Sequence, residues 1–183
     1  MNIGIDLDGT LCDTYPILLG QLNEEFNLQM QYKDCVTYEL VRGHLGVSQE
    51  LSDDVFTRLK FILHNNQTFY TGLPLMNALD VDFIKSREEL GDKIFYITKR
   101  NEHLRLPTYE WLEKNKLSIK NVHFDCNKSE ICRKLDINYY FEDAPIEYIN
   151  LRAEGIHTFL IQQPYNMGLL STTRLRFIHE AKL

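Results

Sequence analysis

The chain opens with a short apolar run, Asn2-Ile3-Gly4-Ile5, that passes directly into Asp6-Leu7-Asp8-Gly9-Thr10. A run this short, followed at once by turn-forming residues, reads as a buried strand. Its carboxyl end then carries two carboxylates one residue apart, followed by a glycine. Ligands of open parallel sheets bind beyond the carboxyl ends of the strands. Asp-Gly is also an ordinary turn pair, so what Asp6 and Asp8 mean depends on what else reaches the same edge.

Four later segments have the same buried-strand character: Lys93 to Ile97, Asn121 to Phe124, Tyr139 to Phe141 and His157 to Ile161. Helical patterns separate them. Leu104 to Lys116 has Pro107 in its first turns and an apolar face with Trp111 and Leu112. Ser129 to Leu135 and Ile146 to Glu154 are shorter, and Gly155 follows the latter where a helix C-cap wants it. Strands alternating with helices predict a parallel sheet covered on both faces, a three-layer α/β/α fold.

The stretch from Thr14 to Leu79 breaks that rhythm. Tyr15 to Leu28 is amphipathic, and Ser48 can cap a second helix carrying Leu51, Val55, Leu59 and Ile62. A helix from Met76 to about Leu90 leads back to the sheet. Residues 15–74 therefore read as a small helical cap inserted after the first strand, with 1–14 and 75–183 forming the catalytic core. The tail from Ser171 reads as one short helix.

Asp6 and Asp8, Thr98, Lys128, and the pair Glu142 and Asp143 all fall at strand ends or in the loops after them. These residue types suit phosphoryl transfer from a monoester. A carboxylate nucleophile, Asp6, divides hydrolysis into formation and breakdown of an aspartyl-phosphate. Asp8 can protonate the leaving oxygen and then activate water. Two anions repel until a cation intervenes, and Mg²⁺ takes oxygen ligands of the kind that Asp6, Asp143 and the backbone carbonyl of Asp8 offer. Lys128, the Thr98 hydroxyl and the N–H groups of Leu7 and Asp8 would meet the phosphoryl oxygens. Gly9 joins this phosphate-binding group by permitting a close turn. Lys128 competes for its role with Lys99, Lys120 and Lys134. Glu142 alternates to the other side of its strand and reads as an orienting group for Lys128 or for a metal-bound water. Arg100 reads as a phosphate contact or, more commonly for such a residue, a surface or helix-cap ion pair, and Cys12 as packing. Phe69 and Tyr70 are candidates for a substrate pocket, although aromatic residues at helical spacing also build cores.

Asp-x-Asp-Gly-Thr after an N-terminal strand, a strand ending in Thr98, a later Lys128 and a strand ending in Glu142-Asp143 resemble the haloacid dehalogenase superfamily over residues 1 to about 161. That resemblance implies a Rossmann-like core, with Asp6 as nucleophile, Asp8 as acid and base, and Asp143 as metal ligand. Ile97-Thr98-Lys99-Arg100, Glu110-Trp111-Leu112, Phe141 to Pro145 and Gln163-Pro164-Tyr165-Asn166 are similar to the 5′(3′)-deoxyribonucleotidase branch. The branch implies a small phosphomonoester substrate, a nucleoside 5′- or 3′-monophosphate. Its likeness lies in the core and is weak in the cap. The rivals are a phosphatase for a sugar phosphate or phosphoglycolate, a phosphomutase and a non-catalytic binding protein.

The net charge of −6 argues against a nucleic acid polymer as partner. No stretch approaches the length of apolar sequence that a membrane span needs, and the start has no secretory-signal pattern. The cysteines Cys12, Cys35, Cys126 and Cys132 have no CxxC spacing, which fits reduced thiols in a cytoplasmic enzyme. A homodimer is the one assembly left open.

Overall fold

In the computed structural model, β1 (Asn2–Ile5) lies at the middle of the sheet, and its last three residues are buried. It pairs in parallel with β2 (Lys93–Thr98), Ile5 opposite Tyr96, and with β4 (Tyr139–Glu142), Ile5 opposite Phe141. β3 (Val122–Phe124) adds beyond β2; β5 (His157–Ile161) and β6 (Arg174–Leu175) add beyond β4. The order is β3-β2-β1-β4-β5-β6, and every pairing is parallel. The structure describes residues 1–37, 40 and 48–183.

Parallel neighbours need long crossovers, and helices supply them. α1 (Thr14–Phe26), α2 (Gln49–Asn65), α3 (Gln67–Thr71) and α4 (Ala78–Glu89) all lie between β1 and β2. α5 (Arg105–Lys114), α6 (Lys128–Lys134) and α7 (Pro145–Ala153) separate the later strands. Side chains alternate across a strand, and the alternation divides the core in two. Ile3, Ile5, Ile94 and Tyr96 join the cluster that holds Ile84 of α4 and Trp111 and Leu112 of α5. Phe95, Ile97 and Tyr140 point the other way, to Cys132 of α6 and Leu151 of α7. Three layers result, in agreement with the expected α/β/α fold.

Several local signals act as anticipated. The Ser48 hydroxyl accepts from Leu51 N–H, Gly155 takes φ +80° after α7, and Pro145 opens that helix. The C-terminal tail departs from expectation. It is not one helix: Arg174–Leu175 adds a sixth strand, and only a single 3₁₀ turn, Ile178–Glu180, follows. Leu160 N–H donates to Thr173 O and Gln162 N–H to Leu175 O, so β5 supplies the donors that set the tail as a strand.

The helices inserted between 14 and 71 are packed onto the sheet domain. Leu18, Leu22, Leu59, Ile62 and Tyr70 share the cluster of Trp111 and Leu112, and Trp111 Nε1 donates to Leu73 O at 2.7 Å. The middle of the expected cap, residues 38–39 and 41–47, lies outside the described residues.

Gly4 is fixed by close approach. A Cβ there would lie 2.4 Å from Cδ2 of Tyr140, whose hydroxyl is tied to Ile97 O at 2.9 Å. Gly4→Ala is therefore expected to destabilise the protein by about 1–3 kcal/mol through overpacking. Urea denaturation measures this, and an unchanged midpoint would contradict it.

Candidate active site

The strand order reverses between β1 and β4, and ligand crevices of doubly wound sheets form at such a point. Here a cavity of about 400 Å³ opens at the carboxyl edge, and Asp6, Asp8, Thr98, Lys128, Glu142 and Asp143 all line it. The residues singled out at separate strand ends are thus brought together.

Asp6 follows β1 directly, and its backbone N–H donates to Phe141 O at 3.0 Å, extending the β1–β4 pairing. Lys128, the first residue of α6, is 2 % exposed. Its Nζ lies 2.8 Å from Asp6 Oδ1 and 2.8 Å from Glu142 Oε2. Burial opposes the ammonium, but Asp6 and Glu142 outweigh it and hold the group well above the usual lysine value, so it stays charged. Glu142 Oε1 accepts from the N–H groups of Asp143 and Ala144, at 3.1 and 3.0 Å. Both Glu142 oxygens are engaged, and the side chain orients Lys128. Lys134 instead pairs with Glu130 on an exposed helix face, and Lys99 with Glu147 at the mouth of the cavity.

Asp143 is fully buried. Thr10 Oγ1 donates to its Oδ1 at 3.0 Å, and the Tyr165 hydroxyl donates to its Oδ2. Asn166 Nδ2 donates to Asp143 O at 2.8 Å, and Gln163 Nε2 to Gly9 O at 2.6 Å. The segment Gln163–Asn166 thus holds both Asp143 and the turn after Asp6. Sequence reasoning quoted these residues without giving them this role. Their position just past β5, the next strand along the same edge, was the available signal. Gly9 contributes through shape, since its own N–H donates to Cys12 O at 2.9 Å. It takes φ +80°, and a Cβ would lie 2.6 Å from Asp143 Oδ2.

Arg100 corrects an expectation. It is no surface ion pair: its guanidinium is buried and grips Asp8, Nε to Oδ2 and Nη2 to Oδ1, both at 2.8 Å. Thr14 Oγ1 adds a hydrogen bond to Asp8 Oδ1 at 2.7 Å. Burial raises the Asp8 carboxyl, but the charge and hydrogen bonds of Arg100, with Thr14, prevail and hold it below the usual carboxylate value. Thr98 Oγ1 accepts from Arg100 N–H at 3.2 Å, which frees the Thr98 O–H to donate elsewhere. Leu7 is buried in the core, and its carbonyl accepts from the N–H groups of Leu11 and Cys12. Of the two aromatic pocket candidates only Tyr70 lines the cavity, beside Leu63 and His64 from the end of α2. Phe69 packs edge-on against Tyr70 within the core and does not line it, because consecutive helical residues diverge in direction.

One oxygen each of Asp6, Glu142 and Asp143 lie within 4.8 Å of one another. Four carboxylates, those of Asp6, Asp8, Glu142 and Asp143, face two cations, Lys128 and Arg100. With all four ionised, an anionic ligand would meet an excess of negative charge. Burial, together with Glu142 and Asp6, pushes the Asp143 carboxyl well above its usual value. An oxygen-only, electron-rich cluster of this kind fits a hard divalent cation.

No family model matches the chain. Among curated proteins, "Putative nucleotidase YqfW" of Bacillus subtilis is 29% identical over 186 residues, covering 96% of this chain and 88% of that one. "Nucleotidase CA_C3379" of Clostridium acetobutylicum is 26% identical over 179 residues, covering 97% and 88%. Among solved structures, a HAD family hydrolase of Deinococcus radiodurans, with bound phosphate and sodium, superposes with a TM-score of 0.65 at 14% identity, covering 98% and 91%. The chain has the haloacid dehalogenase fold and is a relative of these nucleotidase-named proteins. In this haloacid dehalogenase frame, the two acids after β1 and the acid after β4 stand on adjacent central strands.

Lys128 is the test of the charge arrangement. Lys128→Met leaves Asp6 and Glu142 buried side by side without a counter-charge, and is expected to destabilise the fold by about 3–5 kcal/mol at neutral pH. Denaturation curves measure this, and a stability equal to that of the unaltered chain would contradict the arrangement.

Proposed function

We propose that the chain is a magnesium-dependent phosphomonoesterase acting on nucleoside monophosphates, deoxyribonucleotides foremost, through an aspartyl-phosphate on Asp6. The observation that carries this reading is the ion triplet Asp6–Lys128–Glu142 beside Asp143, with a second acid, Asp8, on the same turn. Lys128 binds Asp6 Oδ1 at 2.8 Å, fixing the carboxylate and supplying positive charge for the phosphoryl oxygens. The Asp6 carboxylate forms the new bond to phosphorus while the bond to the leaving oxygen breaks, and Asp8, which takes up a proton from water as the anionic phosphate binds beside it, gives that oxygen the proton. Water then loses a proton to Asp8 and attacks the phosphorus, which restores Asp6. The Thr98 hydroxyl and the Leu7 and Asp8 N–H groups donate to the phosphoryl oxygens. Asp6, Asp143 and the Asp8 carbonyl would hold Mg²⁺, and the cation would supply the charge neutralisation that lets two anions approach.

The helices of 15–74 serve as the cap. Leu63, His64 and Tyr70 from that segment face Pro145, Ile146 and Glu147 across the cavity. Its lining combines these apolar and aromatic groups, as a planar base requires, with the charged groups at the sheet edge, and its volume suits a nucleotide-sized ligand. The nucleotidase names of the relatives support the same substrate class. Unpaired cysteines suit the reducing cytoplasm, and among the described residues no helix is long and apolar enough to cross a membrane.

Three measurements test this. Asp6→Asn is expected to abolish phosphate release while the circular dichroism spectrum stays that of the folded protein; substantial residual hydrolysis would move the nucleophile elsewhere. EDTA is expected to silence the enzyme and added Mg²⁺ to restore it, whereas activity that persists in the chelator would reject the metal requirement. In a phosphate-release screen, a nucleoside monophosphate is expected to give the highest kcat/KM. A sugar phosphate preferred over every nucleotide would reject the substrate assignment.

A further inference from the structure

We infer that Arg100 is the positioning residue for the acid–base carboxylate, and that Oδ2 of Asp8 is the oxygen that exchanges the proton. The inference rests on the phosphatase reading and adds to it an atom and a residue.

The guanidinium meets Asp8 edge to edge, with Nε on Oδ2 and Nη2 on Oδ1. Two parallel hydrogen bonds fix the plane of a carboxylate as well as its position. The fork is itself held on several sides. Nη1 donates to Thr108 Oγ1 at 3.1 Å, and Thr108, on α5, donates onward to Leu104 O just before that helix. Nη2 also reaches Cys12 Sγ at 3.4 Å, and the Tyr70 ring lies 4.2 Å from the guanidinium carbon. The Arg100 side chain is 1 % exposed, against 18 % for Asp8. Both line the cavity, but Asp8 is the more open of the two, so the guanidinium acts through the carboxylate.

The two Asp8 oxygens are unequal. A carboxylate offers about four lone-pair sites, two on each oxygen. Oδ1 accepts from Arg100 and from Thr14, which fills both of its sites. Oδ2 accepts from Arg100 Nε and keeps a site for a proton. In the first step the proton on Oδ2 passes to the leaving oxygen as its bond to phosphorus breaks and the Asp6–phosphorus bond forms. In the second, Oδ2 takes a proton from the attacking water. A lysine at 100 would supply charge without the planar fork and would leave the carboxylate free to rotate.

The arrangement also ties the acid to the inserted helices. Tyr70 lies on α3, and its hydroxyl donates to Leu63 O at 2.6 Å, near the end of α2. The ring that supports the guanidinium is therefore held by the same segment that lines the cavity mouth.

The test compares two esters. The p-nitrophenolate anion leaves without a proton, whereas the 5′-oxygen of thymidine 5′-monophosphate needs one. Arg100→Lys is expected to lower kcat/KM, which reports the first step alone, by about 100-fold for thymidine 5′-monophosphate and by less than about 10-fold for p-nitrophenyl phosphate. The inhibition constant of inorganic phosphate is expected to stay within about 2-fold, since Nε and Nη2 of Arg100 are already engaged by Asp8 and Cys12. Thr108→Val, which removes one hydrogen bond from the fork, is expected to change the ratio of the two kcat/KM values in the same direction to a smaller extent; it decides the matter if Arg100→Lys does not fold. Equal losses on both esters, or a weakened phosphate inhibition constant, would overturn the inference while leaving the phosphatase reading intact. An unaltered protein that releases phosphate from neither ester would overturn the phosphatase reading itself.

Discussion

The ammonium of Lys128, 2.8 Å from both Asp6 and Glu142, is the charge around which the carboxyl edge of this sheet is arranged. Burying an ion costs several kcal/mol even after relaxation, and two carboxylates at contact distance are what offset it. The same contacts keep Asp6 and Glu142 apart in role. Asp6 faces the cavity with one oxygen held, while Glu142 has both oxygens engaged and serves the lysine. Lys128 does not offset the crowding of Asp143 by burial, Glu142 and Asp6, which raises its carboxyl, and relief of that crowding is the electrostatic reason for a divalent cation in the proposed mechanism.

The sheet makes this arrangement possible because β1 and β4 are neighbours. Their pairing continues through the Asp6 N–H bond to Phe141 O, which sets Asp6 level with the end of β4. Two glycines permit the close approach. Gly4 leaves room for the Tyr140 ring, whose face lies 5.8 Å from Lys128 Nζ, and Gly9 leaves room for Asp143 and Tyr165. The Tyr165 and Thr10 hydroxyls then restrain both oxygens of Asp143, so the acid is held ready instead of being free to rotate.

Features that arise within a few residues were legible in the sequence. Buried strands read as apolar runs, and the acids, Thr98 and Lys128 fell at their ends, so the sheet and its loaded edge followed from local pattern and chain order. The departures all depend on partners remote in sequence. Arg100 grips Asp8 across 92 residues, and nothing beside Arg100 announces that. Tyr165 reaches Asp143 across 22. β6 is only two residues long, too short for a period to show, and owes its form to hydrogen bonds with β5. Phe69 and Tyr70 stood together as pocket candidates because composition does not separate adjacent helical positions, whereas the direction of each side chain does.

The central claim is that Asp6 is the atom-bonding nucleophile. Acid quenching during turnover, followed by peptide mass spectrometry, tests it most directly, because an acyl phosphate survives brief exposure to acid. The account predicts a peptide heavier by one phosphoryl group, with fragmentation locating the addition at Asp6, and no such peptide from Asp6→Asn. A phosphorylated residue elsewhere, or rapid turnover with no covalent species in the unaltered protein, would contradict it.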